Sequence, residues 1–98
     1  MSAAEIALML SSVLRARDGA AAADRVEELA KLADRLITET GARNLSAWVE
    51  LERAELSGLR SDAAGRVAHL RAAREIFARM DAAIRVRELD HALEGALH

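Results

Sequence analysis

Cysteine and proline are both absent from this 98-residue sequence, and aromatic residues are limited to one tryptophan and one phenylalanine. Without cysteine there can be no disulfide framework and no thiolate metal site. Because two aromatic side chains are too few to stack on successive bases, we do not expect the protein to bind single-stranded nucleic acid. The lack of cysteine fits the reducing cytosol, and we expect a cytoplasmic protein.

Long apolar runs are also missing. The longest uncharged run, from Ile6 to Leu14, has nine residues, whereas a membrane-spanning helix needs about 20. The run has no basic leader, so we expect neither a membrane span nor a signal peptide. A glycine-rich phosphate loop and a serine in a nucleophile-elbow context are absent too. We therefore expect no enzymatic activity, no catalytic residue and no cofactor.

Alanine and arginine dominate what is present, with 23 alanines and 13 arginines against a single lysine. Alanine, leucine, arginine and glutamate are strong helix formers, whereas strands favour β-branched and aromatic residues. The composition therefore predicts an all-α protein. The net charge of −2 gives no global bias towards nucleic acid or an anionic membrane.

Apolar spacing and turn residues predict five antiparallel helices in one domain that covers residues 1–98. The predicted ranges are 3–17, 21–40, 45–59, 63–80 and 82–97. Short connections between them favour sequential helices that pack side by side. The predicted capping residues are Ser2 with Glu5 for the first helix, Asn44 for the third, and Ser61 or Asp62 for the fourth.

The sequence repeats part of its pattern at a spacing of 40 residues. In both copies a helix ends at a turn residue suited to the left-handed conformation, Gly41 in the first and Asp81 in the second. Repeats of this length are typical of stacked helical hairpins, and two to two-and-a-half hairpins are predicted here. Ala33, Ile37, Ala42 and Val49 recur in kind as Ala73, Phe77, Ala82 and Leu89.

The stretches 33–43 and 73–82 resemble the second-helix-and-turn signature of tetratricopeptide-like repeats, of the divergent kind found in bacterial signalling and transcription-regulator proteins. The likeness covers about residues 20–98, with 3–17 as a half-repeat in front. The sequence departs from the family in its longer spacing and in lacking a closing proline and a first-helix tyrosine. The resemblance implies an α-solenoid fragment that binds a protein or peptide, with the first helix of each hairpin lining the inner surface.

The first helix carries more apolar residues than one packing face can use. We predict that Leu8 and Met9 remain on other sides of the helix and meet a partner chain. Because this helix is terminal in the array, we expect self-association, giving a homo-oligomer such as a dimer. The face predicted to pack inside the monomer is formed by Ile6, Leu10, Val13 and Leu14.

If Leu45, Val49 and Leu56 form the core face of the third helix, Trp48 and Leu51 have no place in that face and point elsewhere. Tryptophan is enriched at the energetic centres of protein interfaces, so both residues are predicted to bind a partner. The alternative is that Trp48 is an ordinary core residue, since tryptophan is highly buried on average.

Arginine is concentrated near the C-terminal end, where the segment from Arg60 to Arg87 holds seven arginines and three acidic residues. Arg71 and Arg74 share a helix face and are predicted to steer an acidic partner or the acidic face of another copy. A nucleic-acid-associated regulator is a less favoured alternative, because acidic residues interleave with the arginines.

A closed helical bundle with a small-ligand or metal site is the remaining alternative. His91, Glu94 and His98 fall at steps of three and four, on one helical face. We predict no metal site there, because the sequence offers no clear outer-shell partners for such ligands. The predicted function is a non-enzymatic protein–protein interaction module, and its predicted binding residues are Leu8, Met9, Trp48, Leu51, Arg71 and Arg74.

Overall fold

The computed structural model describes residues 1–97, and in this range it is all-α with no strand, which confirms the predicted fold class. None of the helices in this range has the length and apolar content needed to cross a membrane. Short 3₁₀ turns at Gly19–Ala22 and Arg43–Leu45 precede the second and third helices. The helices are α1 (Ala3–Asp18), α2 (Ala23–Thr40), α3 (Ser46–Leu59), α4 (Ala63–Arg79) and α5 (Ala83–Leu97).

Side-chain caps fix the starts of α1 and α4. The Ser2 hydroxyl accepts the Glu5 N–H at 3.2 Å, and the Ser2 N–H donates to the Glu5 carboxylate at 3.1 Å, which confirms the predicted capping box. The backbone hydrogen bond from Ser2 lowers the pKa of Glu5, because it favours the charged carboxylate. At α4 the cap is Asp62, whose carboxylate accepts the Gly65 N–H at 2.9 Å.

The predicted cap at Asn44 is wrong. Residues Arg43–Leu45 form a 3₁₀ turn, in which the Leu45 N–H donates to the Ala42 carbonyl at 3.0 Å. This turn delays the start of α3 to Ser46, and no side chain caps the helix. Asn44 therefore lies inside the turn and not at the position where its side chain could accept a helix N–H.

The two predicted left-handed turns are confirmed. Gly41 has a φ of 74° and donates its N–H to the Ile37 carbonyl at 2.8 Å, while Asp81 has a φ of 57°. Ser61, after α3, also has a positive φ of 56°, which the sequence pattern did not predict. A residue with a Cβ pays about 1–2 kcal/mol in this conformation, so Asp81 and Ser61 are strained where Gly41 is not.

Neighbouring helices pack against one another along the chain, and α1 also contacts α3. The α3 helix belongs to both halves of the core. One cluster lies between α1, α2 and α3 and contains Ala4, Ala7, Ala33, Ile37 and Val49. The other lies between α3, α4 and α5 and contains Ala47, Ala54, Leu70, Ala73, Phe77, Leu89 and Leu93.

Positions 40 residues apart occupy similar environments. Ala33 in α2 and Ala73 in α4 are both completely buried. One turn later Ile37 and Phe77 are equally buried, and each is followed by one of the left-handed turns. The small side chains of Ala33 and Ala73 let a neighbouring helix approach closely. One turn later, the larger side chains of Ile37 and Phe77 fill the space beside this close contact.

The predicted packing face of α1 is wrong. The buried residues of this helix are Ala4, Ala7 and Ser11, and Leu14 is only partly buried against a small cluster at the start of α2. Small side chains fill this face because α1 lies close to both α2 and α3, so larger ones would not fit between the backbones. The residues predicted to pack there are instead exposed by about half, with Ile6 at 53%, Leu10 at 44% and Val13 at 54%.

Candidate protein-binding groove

An open groove of about 610 Å³ lies between α1 and α3. The larger side chains of both helices form its walls. Its apolar lining is Leu8 and Met9 from α1, Trp48 and Leu51 from α3, with Leu45 and Met1 at the ends. Its polar lining is Glu5, Ser12 and Arg15 from α1 and Glu52 and Glu55 from α3.

Trp48 is the largest side chain in the groove, and two neighbours fix its orientation. Its ring meets Phe77 edge-to-face, with centroids 5.6 Å apart and planes at 84°. The guanidinium carbon of Arg85 lies 4.8 Å from the Trp48 centroid. Each contact is worth about 0.5–1.5 kcal/mol, so the indole is held in place before any ligand arrives. Trp48 is thus packed on the core on one side and borders the groove on the other.

A hydrogen-bonded network joins the two walls of the groove. Glu52 is 9% exposed, and its carboxylate accepts a hydrogen bond from the Ser11 hydroxyl at 3.0 Å. Arg15 donates to both oxygens of Glu52, from Nε at 3.3 Å and from Nη2 at 3.1 Å. Arg15 also reaches Glu55 at 3.5 Å. The hydrogen bond to Glu52 raises the pKa of Arg15, because the ionised carboxylate stabilises the charged guanidinium.

The network fixes the spacing of the walls. No buried side-chain polar atom in residues 1–97 lacks a hydrogen-bond partner, so the carboxylates of the wall are engaged in structure. Arg15 holds both Glu52 and Glu55 and so connects a carboxylate buried in the wall with one on the rim.

Four of the six residues predicted to bind a partner come together in the groove. Leu8, Met9, Trp48 and Leu51 line it from two helices whose contributions are about 40 residues apart in sequence. Met9 is 51% exposed, while the other three are partly buried.

Arg71 and Arg74, the other two predicted binding residues, lie on α4 and do not line the groove. Arg74 forms a bidentate pair with Asp90 of α5, and its second hydrogen bond is 3.4 Å long. This hydrogen bonding to Arg74 lowers the pKa of Asp90. Arg71 is exposed and has no ion pair within the described part of the chain. The arginine face that the two residues were predicted to share is therefore partly occupied by an intramolecular contact.

The hydrogen-bonded network of Ser11, Arg15, Glu52 and Glu55 was not predicted from the sequence. Arg15 and Glu52 are 37 residues apart, and a charged pair is readable from sequence only when its members are three or four residues apart on one helix. The contact of Arg85 with Trp48 was not predicted either, because it joins residues 37 positions apart on α5 and α3. The only signal was the pair Ser11-Ser12, two small polar residues inside the uncharged run from Ile6 to Leu14.

No three of His, Cys, Asp and Glu in residues 1–97 lie close enough together to hold a metal ion. His98, part of the predicted alternative with His91 and Glu94, lies outside the described residues. His69 is half-buried, and its Nδ1 lies 2.7 Å from the Glu50 carboxylate.

Comparisons of this chain with protein-family models, with curated proteins and with solved structures find no match. Functional inference therefore depends on the geometry and chemistry of the groove.

Proposed function

We propose that this chain is a non-enzymatic protein-interaction module of tetratricopeptide-like hairpins that holds a segment of a partner protein in the groove between α1 and α3. One observation carries this proposal. Apolar side chains from two helices, distant in sequence, line a single open groove around a pre-oriented tryptophan. Protein interfaces concentrate their binding energy in such pockets, and tryptophan is enriched there.

The pairing of helices supports the hairpin arrangement. The α1 helix packs on α2, and α3 packs on α4, so α1, α3 and α5 would be the first helices of successive repeats. Residues of α1 and α3 line the groove, and Arg85 of α5 reaches the Trp48 ring. That placement fits an inner surface built from first helices, as the tetratricopeptide resemblance implies. The matched burial of positions 40 residues apart gives further support.

The lining indicates the chemistry of the bound segment. Its apolar centre calls for one or two large apolar side chains, and about 610 Å³ is enough for a short stretch of peptide. The polar lining holds three carboxylates and one guanidinium. This excess of negative charge favours a lysine or arginine beside the apolar anchors. Arg71 and Arg74 lie away from the groove, so their predicted role in steering an acidic partner would require a separate contact.

Selection from a display library of short random peptides tests this function. We expect the selected peptides to combine large apolar residues with a basic one. The chain has a single tryptophan, and it borders the groove, so binding is measured directly by the change in its fluorescence. Leu51→Ala removes apolar contact and should weaken binding by about tenfold, the effect of roughly 1.4 kcal/mol.

A matched pair of charge reversals tests the acidic rim. Glu55→Lys changes a rim carboxylate that is 54% exposed, while Glu75→Lys changes an exposed carboxylate on α4 away from the groove. We expect the first variant to lose affinity for the basic peptides and the second to retain it. Selection of peptides with no common chemistry, or equal binding by both variants, would reject the proposed function.

A further inference from the structure

We propose that a second pocket, between the start of α3 and the end of α4, binds an acidic segment of a partner protein in which an aspartate or glutamate lies next to a large apolar residue. The pocket is open and has a volume of about 490 Å³. We call it the basic pocket. Its lining is Arg43, Asn44 and Ser46 from the 3₁₀ turn and the start of α3, and Ile76, Arg79 and Met80 from the end of α4.

The charge of the basic pocket is opposite to that of the groove. Its lining in residues 1–97 holds two arginines and no acidic residue, whereas the groove lining holds three carboxylates and one guanidinium. The Asn44 amide and the Ser46 hydroxyl add further hydrogen-bond donors. An ionised carboxylate only accepts hydrogen bonds, so it suits these donors, while a lysine or arginine would meet two like charges.

The donors on the α3 side of the basic pocket are free to meet a ligand. Arg43 is exposed and forms no ion pair within residues 1–97. In the same range the side chains of Asn44 and Ser46 form no hydrogen bond. A ligand carboxylate can therefore approach them without breaking a contact of the fold.

Arg79, on the α4 side, has one competing partner. Its Nη2 lies 3.3 Å from the Glu75 carboxylate one turn earlier on α4, and the two side chains are 71% and 72% exposed. Ion pairs this exposed are weak, because water screens them and both side chains remain mobile. Glu75 does not line the pocket. A ligand carboxylate that also meets Arg43 can therefore displace Glu75 from Arg79.

Apolar side chains beside the arginines determine the second half of the ligand. Ile76 is half-buried against the core cluster between α3, α4 and α5, so the core holds it in place. Met80 is 43% exposed, and its flexible thioether side chain adapts to different apolar shapes. Covering their exposed surface requires a large apolar group. An inorganic anion lacks such a group, whereas an acidic residue followed by an apolar one supplies both.

A titration followed by ¹⁵N NMR tests the basic pocket on the full chain. The probes are a hexapeptide with blocked ends that alternates glutamate with leucine, and its counterpart with glutamine in place of glutamate. We expect the glutamate peptide to shift the backbone amide signals of Asn44, Ser46 and Arg79 and to bind about fivefold more tightly than the glutamine peptide. Equal affinities, or shifts confined to other residues, would overturn the proposal.

Matched variants locate the binding. Arg43→Gln removes one guanidinium and should weaken the glutamate peptide by about fivefold. Its control is Arg71→Gln, at an exposed position of α4 outside the pocket, which should bind like the parent chain. Glu75→Gln removes the carboxylate that competes for Arg79 and should strengthen binding by about twofold. Unchanged affinity in Arg43→Gln, or weaker binding by Glu75→Gln, contradicts the assignment.

The basic pocket goes beyond the proposed function, because it shares no lining residue with the groove and takes a ligand of opposite charge. Leu51→Ala should leave the affinity for the glutamate peptide unchanged, and Arg43→Gln should leave binding of the basic peptides unchanged. A chain that binds the basic peptides but not the glutamate peptide would reject the basic pocket and keep the groove. The reverse result would reject the groove and support the basic pocket.

Discussion

Replacement of Arg15 tests how strongly its hydrogen-bonded network with Glu52 and Glu55 stabilises the fold. In Arg15→Met the aliphatic stem is kept, but the Glu52 carboxylate loses both of its guanidinium hydrogen bonds. It retains only the hydroxyl of Ser11. In Glu52→Met, by contrast, Arg15 can still reach Glu55 and solvent. The two single variants are therefore expected to differ in stability, with Arg15→Met the less stable.

The expected magnitudes follow from exposure. Removing one partner of a fully buried ion pair costs about 3–5 kcal/mol. The side chains of Arg15 and Glu52 are 24% and 11% exposed, so water still screens part of the orphaned charge. We expect a loss of about 2–3 kcal/mol for Arg15→Met and about 1–2 kcal/mol for Glu52→Met. Those losses are large against the roughly 5–15 kcal/mol that stabilises a typical domain.

The double variant Arg15→Met/Glu52→Met decides whether the cost comes from an unpaired charge. Without either charge the site holds no unpaired ion, although the Ser11 hydroxyl loses its carboxylate acceptor, and such replacements of buried pairs are often neutral. We expect the double variant to be more stable than Arg15→Met alone in urea denaturation monitored by circular dichroism. The exposed pair Arg79 and Glu75 is the matched control, because its coupling should be below about 0.5 kcal/mol. Additive losses at positions 15 and 52 would refute the reasoning.

Two further predictions concern the helix ends. Asp81→Gly should stabilise the fold by up to about 1 kcal/mol in urea denaturation, because glycine has no Cβ strain at positive φ. Gly41→Ala should destabilise the fold by a similar amount for the same reason. Stability changes of the same sign in both variants would contradict this view. Ser2→Ala should cost about 1 kcal/mol at neutral pH by removing the cap. Because the pKa of Glu5 is lowered in the fold, its contribution is present above the ordinary glutamate pKa and disappears as the pH falls through the lowered value. The stability difference between Ser2→Ala and the parent should therefore shrink in acid, and a constant difference across this range would count against the capping box.

Features set by local chemistry were predictable from sequence. The all-α class follows from composition, and the turns at Gly41 and Asp81 follow from the few residues that tolerate positive φ. The cap at Asn44 failed because residue type does not reveal whether a 3₁₀ turn will precede a helix. That choice depends on where α3 packs, which is a tertiary effect.

The groove was predictable only in part. Leu8, Met9, Trp48 and Leu51 were identified one helix at a time as apolar residues without a core position, and that reasoning gave no indication that they would share one surface. The Arg15 network was not predictable, because its partners meet only when α1 lies against α3. Pairwise contacts between helices distant in sequence leave no periodic signal in either one.

The misassigned packing face of α1 has the largest consequence. Hydrophobicity alone ranks isoleucine, leucine and valine as core residues, yet close helix approach selects the small residues Ala4, Ala7 and Ser11. Once these fill the interior, the large side chains can only face the groove or the outside. One local constraint therefore accounts both for the apolar lining that α1 gives the groove and for the exposed Ile6, Leu10 and Val13.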